Sequence, residues 1–173
     1  MTPMIEAMLS RRSCKKFKPD MPKKEDLALI AKAGISAPSG RNLQAPIVLV
    51  ITDKETRDAL SRANAAVMGV ESDPFYGAPA VLVVLAKKCN TYLYDGSVAA
   101  ENILLAAHSL GLGACWIHRA KEVFMQEEYQ RMLTKLGIEG EYEGIANCTI
   151  GYPADDFDPK PIEKKEGRIF YID

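Results

Sequence analysis

The sequence predicts a three-layer domain of mixed α/β or α+β class, and three observations carry that prediction. Amphipathic helical patterns alternate with buried-strand patterns from one end to the other. At 173 residues and 47% apolar content, the chain can bury a core of its own and is too short for two full domains, so 1–173 reads as a single domain. No internal repeat or low-complexity tract interrupts the alternation.

Thr2 and Pro3 signal a helix start, and Ile5, Met8, Leu9 and Arg12 follow at helical spacing. Asp20 and Pro22 open a second helix with Leu27, Ile30, Ala31 and Gly34 on one face, and "SAPSGRN" (36–42) stops it. "APIVLVIT" (45–52) is β-branched and continuously apolar, which predicts a strand covered on both faces. Asp53 caps a third helix carrying Leu60, Asn64, Val67 and Met68, and a "SDPFYG" turn leads to a second buried strand, "PAVLVVLA" (79–86). Asp95 is expected to open a long helix with Ala99, Ile103, Ala106 and Leu110 along one face, apolar nearly all round and therefore central. "GLGACWIH" (111–118) reads as a tight turn and a short strand. Met125, Tyr129, Met132, Leu133 and Leu136 make another amphipathic helix, stopped at Gly137, before a strand in "GIANCTIGYP" (144–153). The Pro-, Asp- and Lys-rich tail ends in "RIFYID", strand-like but without a nearby hairpin partner, as in strands that pair with another subunit or a distant edge.

Charge is unevenly distributed. Lys+Arg 22 against Asp+Glu 23 nets −1, yet Arg11, Arg12, Lys15, Lys16 and Lys18 fall within eight positions. A near-neutral chain lacks the broad basic face of a general nucleic-acid binder, so the cations imply a local anionic ligand. The longest apolar runs are far short of a membrane span, and no leader pattern opens the chain, so the expected location is cytoplasmic. Cys14, Cys89, Cys115 and Cys148 form no C-x-x-C pair and read as reduced thiols, and two histidines cannot build a His-rich metal centre.

Absent motifs narrow the chemistry. Trp116 stands where a third glycine of G-x-G-x-x-G would be, and there is no G-x-x-x-x-G-K-[ST], H-E-x-x-H or G-x-S-x-G. Two segments stand out instead. "RRSxK" (Arg11, Arg12, Ser13, Lys15) could clamp a phosphate and set a cation over an electron-rich ring, or simply complement a helix dipole. "APSGRNLQ", with Pro38, Ser39, Gly40, Asn42 and Gln44, could present polar groups to a flat heterocycle, or serve only as a helix-stop loop.

Taken in order, "RRSCKKF", "APSGRNLQAP", "FYGAPAVLVV", "DGSVAAENILLAAHSLGLGACWIHRA", "GYP" and a basic tail resemble the short form of the FMN-dependent nitroreductase family. That resemblance implies an α+β, nitroreductase-like three-layer fold with a central mixed sheet flanked by helices, and an intertwined homodimer binding FMN non-covalently at the subunit interfaces. It implies that Arg11, Arg12 and Ser13 hold the phosphate and ribityl end, with Lys15 near the pyrimidine edge. Pro38, Ser39, Gly40 and Asn42 would come from the partner subunit, and Asn64 would meet the pyrimidine. Trp116, Ile117 and His118 would run behind the ring and offer a backbone amide to N5. Lys164 and Lys165, in a tail (154–173) reaching the partner, would complete phosphate neutralisation. Where the family often carries a glycine pair after "WI", this chain has His118 and Arg119.

The activity implied is ping-pong transfer of hydride from NAD(P)H to nitroaromatic or quinone-type acceptors, with no side chain required as a general acid. Two other readings stay open on sequence: a dedicated dehydrogenase or dehalogenase-like relative, and a non-enzymatic flavin carrier or redox sensor.

Overall fold

The computed structural model describes residues 1–173, ordered α1 (Pro3–Ser10), α2 (Lys24–Ile35), β1 (Pro46–Ile51), α3 (Lys54–Met68), β2 (Ala80–Lys87), α4 (Tyr92–Ser109), β3 (Gly113–Ile117), α5 (Ala120–Phe124), α6 (Glu127–Lys135) and β4 (Tyr142–Gly151). The four strands form one sheet in the order β1-β2-β4-β3. All three ladders between these strands are antiparallel, so the expected mixed character is confined to one parallel bridge, Ser13 to Ala114, at the β3 edge. The reason is topological. β2 and β3 run parallel across the α4 crossover, but β4 enters between them and runs against both.

Alternation along β2 divides the interior into two layers. Ala80, Leu82, Val84 and Ala86 face α2 and α4, packing on Leu27, Ile30, Ala99, Ile103 and Ala107. Val81, Val83 and Leu85 face the other way, toward Leu60 of α3 and Val123, Phe124, Tyr129 and Leu133 of α5 and α6. A register shift after Val84 brings Gly144 of β4 against α5. A Cβ on Gly144 would stand 2.3 Å from the Ala120 carbonyl oxygen, so only glycine lets α5 sit there.

Several sequence expectations need adjusting. α2 begins at Lys24, not Asp20, and its N-cap residue Lys23 makes no side-chain cap bond. β1 is an edge strand with one ladder partner and is largely half-buried rather than covered on both faces. α4 starts at Tyr92, because Asp95 lies inside its first turn and accepts from Gly40 N and Thr91 Oγ1. The helix expected from Met125 begins at Glu127; Met125 instead caps the C-terminus of a separate short helix, α5, and is exposed. Asp53 does cap α3, accepting from Thr56 N at 2.8 Å.

The chain ends lie on one edge. Residues 13–17 add single bridges to the sheet, Ser13 to Ala114 and Phe17 to Pro153. The tail then runs back along the basic segment through Ala154 N→Lys16 O, Lys16–Asp156 and Lys18–Asp155. "RIFYID" pairs with no strand of this chain, and Ile169, Phe170, Tyr171 and Ile172 are exposed. No helix is long and apolar enough to cross a membrane.

Candidate functional site

A cavity of about 460 Å³ opens beside the C-terminal end of β3. Its walls bring Ser13 and Lys15 together with Trp116, Ile117 and His118, and add Tyr76 and Met68, which sequence reasoning did not select. The Ser13–Ala114 bridge explains the meeting: it lays the basic segment alongside β3. Trp116 packs its ring against the layer of α2 and α4, while Ile117 joins the opposite layer. Cys115 also faces the cavity. Burial pushes its thiol pKa up, opposed by a hydrogen bond with Ser13 and by the charges of Lys15 and Arg11.

Tyr76 reaches the cavity through a tightly bonded turn. Asp73 accepts from Phe75 N and Gly77 N at 2.8 Å, from Arg57 Nη2 at 2.6 Å and from Ser61 Oγ. Burial works against the Asp73 charge, but these hydrogen bonds outweigh it and hold the carboxyl below its ordinary pKa. The ammonium of Lys15 lies 5.5 Å from the centre of the Tyr76 ring, a cation–π distance.

The two arginines differ. Arg12 donates to the carbonyls of Leu9, Arg11 and Lys160, closing α1 and tethering the tail. Arg11 is mostly enclosed, stands 3.9 Å from Glu101, and has a buried Nη1 with no partner. Three other buried side-chain atoms are unpartnered: Asn64 Oδ1 and both polar atoms of the Asn147 amide. Because buried polar groups are normally bonded, unfilled donor and acceptor capacity at Arg11 and Asn64 fits residues awaiting a polar ligand. Asn64 is fully enclosed, and its amide donates to the carbonyl of the cavity residue His118 at 3.0 Å.

Pro38, Ser39, Gly40 and Asn42 lie elsewhere. Gly40 N is bonded to Asp95 at one end of α4, whereas Ser10 Oγ meets His108 near the other. The thirteen residue steps from Asp95 to His108 span about 20 Å of helix. The loop also borders β1, at the opposite edge of the sheet from β3. Lys164 and Lys165 line a surface hollow made only of tail residues 164–169. One chain therefore assembles Ser13, Lys15 and Trp116 to His118, but not the loop or the tail lysines.

All five non-glycine residues with positive φ lie in these two regions: Arg41, Asn42 and Gln44 in the loop, Tyr76 and Arg119 at the cavity. Such conformations persist where surrounding structure imposes them, and they cluster at functional sites.

The family model "Nitroreductase family" matches residues 8–80 and 68–152. A provisionally named NADH dehydrogenase/NAD(P)H nitroreductase of Archaeoglobus fulgidus is 32% identical over 161 residues, covering 89% of this chain and 87% of that protein. A nitroreductase with bound FMN from Desulfitobacterium hafniense has a TM-score of 0.86 at 28% identity, covering the whole of both chains. Another with bound FMN, from Bacteroides fragilis, has a TM-score of 0.90 over the whole of both chains, a likeness of fold at 24% identity.

Proposed function

The chain belongs to the nitroreductase family and is an NAD(P)H-dependent flavin oxidoreductase; on that premise we propose that it holds FMN non-covalently between two copies of itself and reduces nitroaromatic or quinone-type acceptors. Family membership sets aside the non-enzymatic carrier. The observation that carries the reading is the meeting of Ser13 and Lys15 with Trp116 to His118 around one cavity.

In this proposal the unpartnered Arg11 guanidinium nitrogen and the Ser13 hydroxyl take the phosphate and ribityl end. Arg12 supports them by closing α1. Lys15 supplies a fixed cation for the negative charge that a reduced flavin carries at its pyrimidine edge. Backbone amides of Trp116, Ile117 and His118 border the ring. Asn64 contributes by holding the His118 carbonyl and keeps one acceptor, Oδ1, for the cofactor.

The roughly 20 Å separation within one chain supports delivery of Pro38, Ser39, Gly40 and Asn42 by a second copy. So do the exposed apolar residues Ile5, Met8 and Leu9 of α1, and an apolar groove of about 570 Å³ between α2 and β1. Residues 1–173 then act as one domain, with 154–173 carrying Lys164 and Lys165 toward the partner.

FMN, when bound, supplies the hydride chemistry. The chain contributes orientation, charge and exclusion of water. For a quinone the balance is NAD(P)H + H⁺ + quinone → NAD(P)⁺ + hydroquinone. For a nitro group, the first two-electron step gives the nitroso compound and water. Reductant and acceptor would enter the same cavity in turn, and water would supply the proton.

The test is the visible absorption of the purified protein under anaerobic conditions. Flavin bands that bleach on NADH or NADPH and return with a quinone support the proposal, as does a solution mass of two chains. A protein that stays colourless after incubation with FMN overturns it. Arg11→Ala is expected to weaken FMN retention about tenfold or more, the loss of one charge-assisted phosphate contact.

A further inference from the structure

We infer that Arg119, with His118 beside it, forms an anion-recognising wall of the cavity and selects acceptors that carry a carboxylate; this rests on the flavin oxidoreductase reading above. The cavity is lined by Lys15, His118 and Arg119 and by no acidic residue. Lys15 is already placed over the Tyr76 ring, so the guanidinium is the cation left to face an incoming molecule.

The backbone gives an independent reason to assign Arg119 a role. It sits at φ 78° and ψ 10°, a left-handed conformation that glycine adopts without steric cost and arginine does not. Both flanks impose that turn. Asn64 holds the His118 carbonyl on one side, and α5 is seated on Gly144 on the other. A long charged side chain is thus kept where the local geometry favours none, which is the pattern of strain retained at a working site.

Arg119 Nη1 is 3.1 Å from Glu122 Oε1, in a pair that is 45% and 40% exposed. An exposed pair of this kind is weak and readily exchanged. Nε and Nη2 remain free, and a guanidinium fork matches a carboxylate in two parallel hydrogen bonds. Ile117, Met68 and the Tyr76 ring supply apolar wall for an aromatic acceptor whose carboxylate reaches Arg119.

The experiment compares 4-nitrobenzoate with its methyl ester as acceptors for the FMN-loaded protein and for Arg119→Gln, at low and high salt. Anaerobic reduction by NADH and NADPH is followed separately. The wild type is expected to favour the carboxylate in kcat/KM by about tenfold at low salt. That preference should shrink as salt screens it, and Arg119→Gln should abolish most of it. An unchanged carboxylate-to-ester ratio in the variant overturns the inference. So does a defect confined to reduction by NADPH, which would place the guanidinium on the reductant. Should the variant not fold, the wild type alone decides: the order carboxylate, ester, (4-nitrobenzyl)trimethylammonium, compressed by salt, supports the wall, and indifference to charge overturns it. Absence of flavin absorption before any acceptor is added identifies failure of the underlying reading and takes this inference with it.

Discussion

The turn at residues 73–77 and the loop at 38–44 both hold non-glycine residues in left-handed conformations, but they are secured very differently. In the turn, Asp73 accepts four hydrogen bonds, and Phe75 and Arg57 are buried beneath it. The loop relies on a short 3₁₀ turn (Asn42 N→Ser39 O, Leu43 N→Gly40 O), Gly40 N→Asp95, Gln44 N→Ser39 Oγ and one side-chain bond from Gln44 to Asn42, and most of its side chains face solvent. The first is strain that the chain holds by itself. The second is strain with little of the chain's own packing over it, as expected of a segment that completes its contacts on another surface.

The strongest way to erase that difference is Asp73→Ala. It leaves the Arg57 guanidinium without its main partner and frees two backbone amides, so we expect a loss of about 2–3 kcal/mol. The calorimetric midpoint should fall by about 5–10 °C, with weaker FMN retention as Tyr76 loses its place. The same contribution has a definite pH sign. Because the Asp73 pKa is lowered in the folded protein, its stabilisation is present above the ordinary carboxylate range and is lost as pH falls through the folded value. Melting temperatures of wild type and Asp73→Ala should therefore converge in acid, below about pH 4.

Asp95→Ala attacks the loop instead, removing the acceptor for Gly40 N and Thr91 Oγ1. We expect about 1–2 kcal/mol, with faster hydrogen exchange at Gly40 and none at Phe75. Equal acceleration at both amides would show the two regions to be one cooperative unit. Arg119→Gly should raise stability by about 1 kcal/mol by relieving the left-handed turn, read as a higher thermal midpoint alongside a lost carboxylate preference. Asn42→Gly should be the smallest change, within about 0.5 kcal/mol, since asparagine tolerates this region best among residues with a side chain.

Features fixed by local chemistry were legible from sequence. The Asp53 cap, the Gly137 stop and the two central strands depend on nearby residues and on period-two or period-3.6 patterning. Features fixed by distant partners were not. Asp95 resembles a helix cap, yet it serves Gly40, 55 residues away. "APIVLVIT" is as apolar as a central strand but lies at an edge of the sheet, because composition records that a surface is to be covered and not what covers it. Met125 continues a helical period across a break. At the site, Ser13, Lys15 and Trp116 to His118 emerged from motif order, and Arg119 from a departure where the family often has glycine. Tyr76 was hidden in an ordinary-looking turn; its only signal was an aromatic residue wedged between Phe75 and Gly77.

The position of β4 has a consequence for how the chain reaches this state. The strand that joins β2 to β3 is the last one made, spanning residues 142–151. Until those residues leave the ribosome, β2 can pair only with β1, and its other edge stays open beside buried-type residues such as Leu82 and Val84. The sheet therefore closes late, through contacts of long sequence separation that are slow to form. A nascent chain stopped near residue 140 should be a sticky, protease-sensitive fragment, and extension by about a dozen residues should convert it abruptly to a protected core.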